Sequence, residues 1–458
     1  MINLNGIKRP QLIPAFKKNI SVQSLIRGVR ISAEDDHTKL KIITDDDDLK
    51  SLEQDWKELA WKSDTHIFQT YEWNHIWWKH FGTNKKLHIV AVYTENKLVG
   101  IAPFFEDDVR LFDQKVYSCL RFLGSYVSQP EGNPLTGSIS YSDYLGCIIH
   151  PGYEELFCRL ILQHFIDVKS EFDEIILDEV FEESVINNMM IPLIVKSNYG
   201  LNCKIEPAST SPVIQLDSTW ELYLKSLNVK DRYNARRYYK RSKQGDKKAF
   251  KIEKLKHPEQ LPGLLADLIR MHQQQWNSRG FAGTFSEIRM RDFFMEIAKS
   301  FYEKGWIEFN MAIPVESGAK YVAIDAFLTY RNKVCLMHRG MEENSLYRKQ
   351  GPGNVLLFAR LNEAIHDGVK VFDMLRGTEE FKLKMATKIN QNNKITISSG
   401  FKLGRVMPGL VKKTMQMLHY IRIEKSHIKH VFNGKPIFKG ITEYIQFLHR
   451  RIKHKFYN

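Results

Sequence analysis

The alternation of apolar and polar positions predicts a regular order of elements along the chain. A strand at 40–44 (LKIIT) is followed by helices at 47–63 and 70–82, the second unusually aromatic (TYEWNHIWWKHFG). A hairpin spans 87–105 with Glu95-Asn96 at its tip, and a long loop then leads to SDYLGCIIHPG. An amphipathic helix at 153–168, a largely buried strand at 172–180, a helix near 183–198 and a strand ending at SPVIQL complete a first unit near Leu216. From Thr219 a similar order returns: one helix over 219–243, a strand at 249–255, and helices at about 259–277 and 286–304. Three strands follow (306–313, 321–330, 333–340), then a helix, the strand VKVFDML, the short helix EEFKLKMA and the closing strand KITISS. Both units therefore read strand, two helices, antiparallel strands, helix, strand. The expectation is an α+β fold of two tandem units, each a mixed, mainly antiparallel sheet flanked by helices.

At 458 residues the chain exceeds one ordinary core. The expected segments are a basic arm at 1–38, a first unit at 39–216, a second at 217–400 and a basic, amphipathic, helical extension at 401–458. The formal charge of +14 resides at the ends, with +6 over residues 1–33 and +11 over 401–458, which leaves −3 between them. A nucleic-acid groove through the middle is thereby disfavoured, and contact of the ends with an anionic surface is suggested. Five scattered cysteines without a C-x-x-C pair argue for reduced thiols, with neither a disulfide framework nor a metal site. No apolar run approaches the length of a membrane span and no secretory signal opens the chain, so a soluble, cytoplasmic protein is expected.

Arg348-Lys349-Gln350-Gly351-Pro352-Gly353 fits R-x-x-G-x-G between a strand and a helix. A helix start offers unpaired N–H groups and the positive end of its dipole, and glycine admits a phosphate close to the backbone. An ordinary turn is the competing reading. Group transfer needs a base for the nucleophile, a donor for developing negative charge and an acid for the leaving group. Asp325, inside an apolar strand, is either that base or one end of a salt bridge to Arg339 or Arg376. His338 is a base or a satisfied core histidine, and Tyr347 an acid for the leaving group or a turn tyrosine. Tyr71, Trp73, Trp77 and Trp78 form core or a sugar-stacking platform. The basic row Arg232, Arg236, Arg237 and Arg241 meets an anionic acceptor or water.

The loop, with its preceding strand and following helix, resembles the coenzyme A pyrophosphate loop of the GNAT acyltransferases. More narrowly, the chain resembles the cellulose and exopolysaccharide-biosynthesis group of that superfamily (CelD/BcsL type), relatives of the FemABX transferases with two GNAT units. The resemblance rests on FQTYEWNHIWWKHFG, LVGIAPFF and SDYLG in the first unit and on GPGNVLLFARLNEAIHDGVKVFDMLRGTEEFKLKMA in the second. It implies acetyl-CoA or another acyl-CoA as co-substrate, with amides around Gln350, Gly351 and Gly353 on the pyrophosphate. Arg348 and Lys349 would add charge, and Asn354 completes the set. Lys382 matches the family's aromatic-lysine pair, although Phe381 stands where tyrosine is usual and His338 where an aromatic is usual. Asp143, Tyr144 and Arg237 would meet the acceptor, and Asp373 would anchor the fold near the cofactor. The implied activity is transfer of an acyl group to an amine or hydroxyl of a sugar or envelope-polysaccharide precursor, at the inner face of the membrane when the 401–458 tail docks there. Two alternatives stand beside it: aminoacyl transfer from charged tRNA, and a non-catalytic scaffold held at the membrane by the tail.

Overall fold

The computed structural model describes residues 37–399 apart from 112–113, 126–141, 198, 244–249, 280–282, 316–319 and 344–345. Of the basic ends expected at 1–38 and 401–458, residues 1–36 and all of 401–458 lie outside these residues. The first half opens with β1 (Thr38–Ile43), α1 (Asp46–Ser51), α2 (Glu53–Lys62) and α3 (Tyr71–Phe81). It continues through β2 (Lys86–Thr94), β3 (Lys97–Leu111), β4 (Gln114–Phe122), β5 (Ile148–Ile149), α4 (Glu154–Asp167), β6 (Glu174–Phe181), α5 (Ile191–Lys196) and β7 (Leu201–Gln215). The second half comprises α6 (Trp220–Ser226), α7 (Val229–Arg241), β8 (Phe250–Lys254), α8 (Leu261–Ser278) and α9 (Ile288–Glu303). It ends with β9 (Ile307–Pro314), β10 (Ala323–Tyr330), β11 (Lys333–Met341), α10 (Pro352–His366), β12 (Val371–Asp373), α11 (Glu380–Met385) and β13 (Lys388–Ser399).

The fold is α+β, with the expected repeat. In each half antiparallel strands run to a fourth (β4, β11), which then pairs in parallel with the strand after the crossover helix, β6 or β12. Three local expectations are corrected. β4 stands where a loop was expected. The single helix over 219–243 is two, because the Asn228 side chain accepts the Asp231 N–H at 3.0 Å and caps a new helix. The helix over 47–63 likewise breaks at Leu52.

The two halves share one sheet, in the order β1-β2-β3-β4-β6-β13-β7-β12-β11-β10-β9-β8. β13, last in the chain order of the second half, lies against β6 of the first; β7, last in the first, lies against β12 of the second. The two exchanged strands pair antiparallel with each other from Lys388↔Val213 to Ser399↔Leu201. Side chains reinforce the union. Arg331, at the β10–β11 turn, donates to the Trp61 carbonyl at 2.6 Å and to those of Ala60 and Ser63, at the negative end of the α2 dipole. Lys79 and His80 of α3 both reach Glu296 of α9 at 2.8 Å. Trp73 is fully buried, its ring 5.2 Å from that of Phe293, and Trp77 is buried beside Phe81 and Phe105. The aromatic helix is core, joining the halves.

Because each half lends its last strand to the other, neither is expected to fold alone: β6 and β12 would lose their neighbours and expose unpaired edges. Fragments 37–216 and 217–400, prepared separately, should lack a cooperative thermal transition by circular dichroism. A sharp transition in either one would contradict the exchange.

Candidate active site

The glycine stretch is built by local packing. A turn of 3-10 helix at Arg348–Gln350 ends on Gly351, whose φ of +69° and ψ of 53° are left-handed, and α10 starts at Pro352. A Cβ at Gly351 would lie 2.6 Å from the Tyr238 ring; one at Gly353 would lie 2.8 Å from Met341 Sδ and 2.9 Å from Arg339 Nε. Both positions therefore require glycine for close contact, Gly351 also for its backbone. The Gln350 and Gly351 N–H groups already donate inside the turn, to Tyr347 and Arg348 carbonyls at 2.9 and 3.0 Å. Of the three amides expected to hold a ligand, Gly353 is the one that donates to no backbone acceptor in the turn.

Basic groups gather at this turn. Arg241 donates to the Gln350 carbonyl at 2.5 Å, and the Arg237 guanidinium lies 4.8 Å from the centre of the Tyr238 ring. Lys349 is exposed, whereas Arg348 is paired with Glu343 and bonded to its carbonyl at 3.2 Å. α10 carries no acidic residue in its first turn and no side-chain cap, so nothing negative offsets its dipole. The sequence assigned Arg237 to the acceptor; the fold puts it beside the glycine turn. Tyr347 packs against the buried cluster of Phe250, Val355 and Leu356, its ring 6.3 Å from that of Phe250.

Directly below the turn the sheet splits. β11 and β12 pair in parallel at Lys333↔Val371, Val334↔Phe372 and Cys335↔Asp373, and no further. Beyond Asp373 the chain follows β7: the Met374 N–H donates to Pro212 at 3.0 Å and the Gly377 N–H to Thr210 at 3.1 Å. β11 runs on to Met341, so residues 336–341 have no strand partner on that side among the described residues. The opening is wedge-shaped, with Cys335 and Asp373 at its vertex and the first turn of α10 at its mouth. A bulge at Met337, between the pairs Leu336↔Phe327 and His338↔Ala326, bends β11 along the wedge.

The other sequence candidates surround this opening. Asp325 is fully buried and both its oxygens are taken by Arg339, at 2.7 and 2.6 Å. Burial pushes its pKa up, against the pull of the guanidinium. Arg339 in turn lies 5.4 Å from the Phe381 ring. His338 is enclosed by Phe285, Phe294 and His272, and burial, then His272 and Lys382, hold its pKa well below the usual imidazole range. Lys382 is buried, donating to the Arg376 carbonyl at 2.9 Å with Glu379 at 3.3 Å. Asn354 turns its N–H back to Gly351 at 3.0 Å.

Asp143 and Tyr144 meet the second half at the vertex. Asp143 accepts the Arg376 N–H at 3.0 Å and binds its guanidinium, which also reaches Glu179 at 3.4 Å. The Tyr144 hydroxyl donates to Asp373 at 2.6 Å. Tyr144, Glu179 and Leu375 all have φ of 53°, a conformation costing non-glycine residues on the order of 1 kcal/mol or more each. Three such residues in one hydrogen-bonded cluster mark a place whose backbone is dictated by its contacts. Sequence reasoning missed Glu179 and His66 here; left-handed tyrosine or glutamate leaves no signature in composition or period.

Residues 229–383 match the family described as the acetyltransferase (GNAT) domain. This segment is similar to that domain. It spans α7 to α11, the glycine turn and the wedge included. Among solved structures, the crystal structure of FemX is similar in fold, at 12% identity and a TM-score of 0.50, covering 78% of this chain and 96% of that one. The C-terminal domain of a lysylphosphatidylglycerol synthetase from Agrobacterium fabrum, so named provisionally, aligns at 9% identity and a TM-score of 0.44, covering 80% and 96%. A tandem GNAT protein from the clavulanic acid biosynthesis pathway aligns at 10% identity and 0.40, covering 80% and 100%. No curated protein matches the chain in sequence. Among the described residues no helix is long and apolar enough to cross a membrane, and no cluster of three His, Cys, Asp or Glu residues gathers to hold a metal.

Burial raises the Asp373 pKa from 3.8 to about 6, against the stabilising Tyr144 hydroxyl and Leu375 N–H. The folded state then binds this proton more tightly than the unfolded chain, so stability from Asp373 is full below about pH 4 and falls as pH rises to about 6, by ~3 kcal/mol. Asp373→Asn removes that slope. In urea titrations, the stability of the variant relative to wild type should rise by about this amount between pH 4 and 7; a pH-independent difference would contradict the burial argument.

Proposed function

We propose that the chain transfers an acyl group from acyl-CoA to an amine or hydroxyl of a sugar or envelope-polysaccharide precursor, as the CelD/BcsL resemblance implies. The observation that carries the donor assignment is the wedge between β11 and β12 with the uncapped start of α10 at its mouth. In this reading the pyrophosphate lies on the first turn of α10, against the Gly353 amide and the charges of Lys349, Arg237 and Arg241. The thioester arm runs down the edge of β11 beyond Cys335, where β11 parts from β12. Asp325 holds Arg339 in place beside this edge and is not the base, because both its oxygens are occupied. Lys382, fixed on the Arg376 carbonyl, brings a positive charge close to the wedge.

A second reading, aminoacyl transfer from charged tRNA in the FemABX manner, is favoured by one feature. The exposed face of α7 carries Lys230, Arg236, Arg237 and Lys240 beside the same turn, and such a row suits a polyanion.

Titration calorimetry with acetyl-CoA separates the two. The wild type is expected to bind, and Arg237→Glu/Lys349→Glu to bind at least about tenfold more weakly, since each lost charge-assisted contact costs about 1.5–3 kcal/mol. Unchanged affinity would remove the turn as the pyrophosphate site. No binding to the wild type would favour charged tRNA. For the tail, deletion of 401–458 is expected to abolish sedimentation with anionic vesicles while leaving acetyl-CoA binding intact; persistent vesicle binding would end the membrane proposal.

A further inference from the structure

The outer side of α7 carries two chemistries in one stripe. Val229 and Tyr233 stand one turn apart and are 81% and 66% exposed. The helical period continues the stripe through Arg236 and Lys240, both exposed. Two neighbouring helices widen it, since α6, α7 and α11 share one buried cluster through Leu224, Ala235 and Met385. α6 is tied to α7 by the ion pair of Glu221 with Arg236 at 3.0 Å, and Leu222 beside that pair is exposed. α11 comes close to the start of α7: Lys384 first, and then Lys230, hold the Glu380 carboxyl below its usual range, and Leu383 is exposed. A single exposed apolar side chain is ordinary. Four of them, on three helices packed together, mark a contact surface.

We propose that this surface lies on an anionic lipid bilayer, with α7 parallel to the membrane plane. The proposal rests on the tail reading above for the hold; α7 decides which side of the folded chain faces the lipid.

Charge selects the sign of the surface. Lys225, Lys230, Lys240 and Lys243 are exposed and form no ion pair among the described residues, whereas the acids Glu221 and Glu380 are each paired, with Arg236 and Lys384. Each lysine near an anionic leaflet adds an attraction that salt weakens. The apolar side chains favour lipid over RNA. Valine and leucine offer no ring to stack on a base. At a bilayer interface such side chains enter the acyl boundary, tyrosine sits at headgroup level and lysine stems reach outward to the phosphates.

The donor mouth is spared by the geometry of the same helix. The helical period puts Tyr238 on the side of α7 opposite Val229. Tyr238 is the ring that a Cβ at Gly351 would meet at 2.6 Å, so the glycine turn lies on the side away from the bilayer. Docking and donor binding are therefore compatible.

Photolabelling of the full chain tests the placement. The protein is irradiated with mixed phosphatidylcholine and phosphatidylglycerol vesicles that carry a lipid with a diazirine in its acyl tail, and adducts are mapped by mass spectrometry of the digest. The expected result is adducts within 220–243 and 380–385, lost when the vesicles are phosphatidylcholine alone. Val229→Asp/Tyr233→Asp changes only exposed side chains and should keep the wild-type thermal transition while weakening vesicle sedimentation by about tenfold. Adducts confined to 401–458 overturn the docking of α7 and leave the tail reading standing. Failure of the wild type to sediment with anionic vesicles overturns both. Equal labelling on neutral vesicles, or an unchanged affinity of the folded variant, overturns the surface as described. Binding of bulk tRNA with no lipid adduct on α7 overturns it in favour of the polyanion.

Discussion

After Asp373 a strand of three residues has two neighbours to choose between, and it follows β7. Everything at the site depends on that departure. The turn is enforced locally: Asp373 Oδ1 accepts the Leu375 N–H at 2.7 Å, and Leu375 takes a left-handed φ of 53°. It is then secured from afar, because β7 is available beside β12 only through the exchange with β13. A second unit with its own β13 against β12 would have no reason to open at this point. The wedge is thus a product of the two-unit architecture as much as of the local sequence.

Electrostatics at the junction follow the same logic. A buried cluster of Asp143, Glu179, Arg376, Tyr144 and Asp373 is costly unless its members satisfy each other. Arg376 does most of this, binding Asp143, Glu179 and the Ser142 carbonyl while offering its own carbonyl to Lys382. Burial raises the pKa of Glu179 despite Arg376, and that of Asp373 despite Tyr144. Raised proton affinity accompanies a backbone held in unfavourable conformations. Such a cluster specifies one arrangement of the two halves, which fixes the vertex to which His66 and Cys335 belong.

Much of this was legible in the sequence, for physical reasons. β9, β10 and β11 declare themselves by apolar runs between turns, and the glycine stretch by the demand for bare backbone between a strand and a helix. The aromatic row of α3 has helical spacing and proved to be core. The exchange of β7 and β13 was hidden, because periodicity shows that a strand exists and which face is buried, never which distant strand it joins. β4 was missed because the polar and charged residues of QKVYSCLRF look like a connection until their partners are known: Arg121 reaches Asp178 at 2.8 Å, and Tyr117 reaches Glu174 at 2.6 Å. Asp325 was read with Arg339 or Arg376 as alternative partners. Tertiary packing separates them, giving Arg339 to Asp325 and Arg376 to Asp143. His66 sits in an unremarkable lead-in to a helix and gains meaning only when the second half closes on it.

The central claim is that the donor occupies the opening between β11 and β12. Hydrogen–deuterium exchange with and without saturating acetyl-CoA tests it most directly, because beyond Cys335 β11 parts from β12. The account predicts new protection at residues 336–341 and in the first turn of α10, with little change in β2, β3 and β4. Protection confined to other segments, or none at saturation, would contradict it.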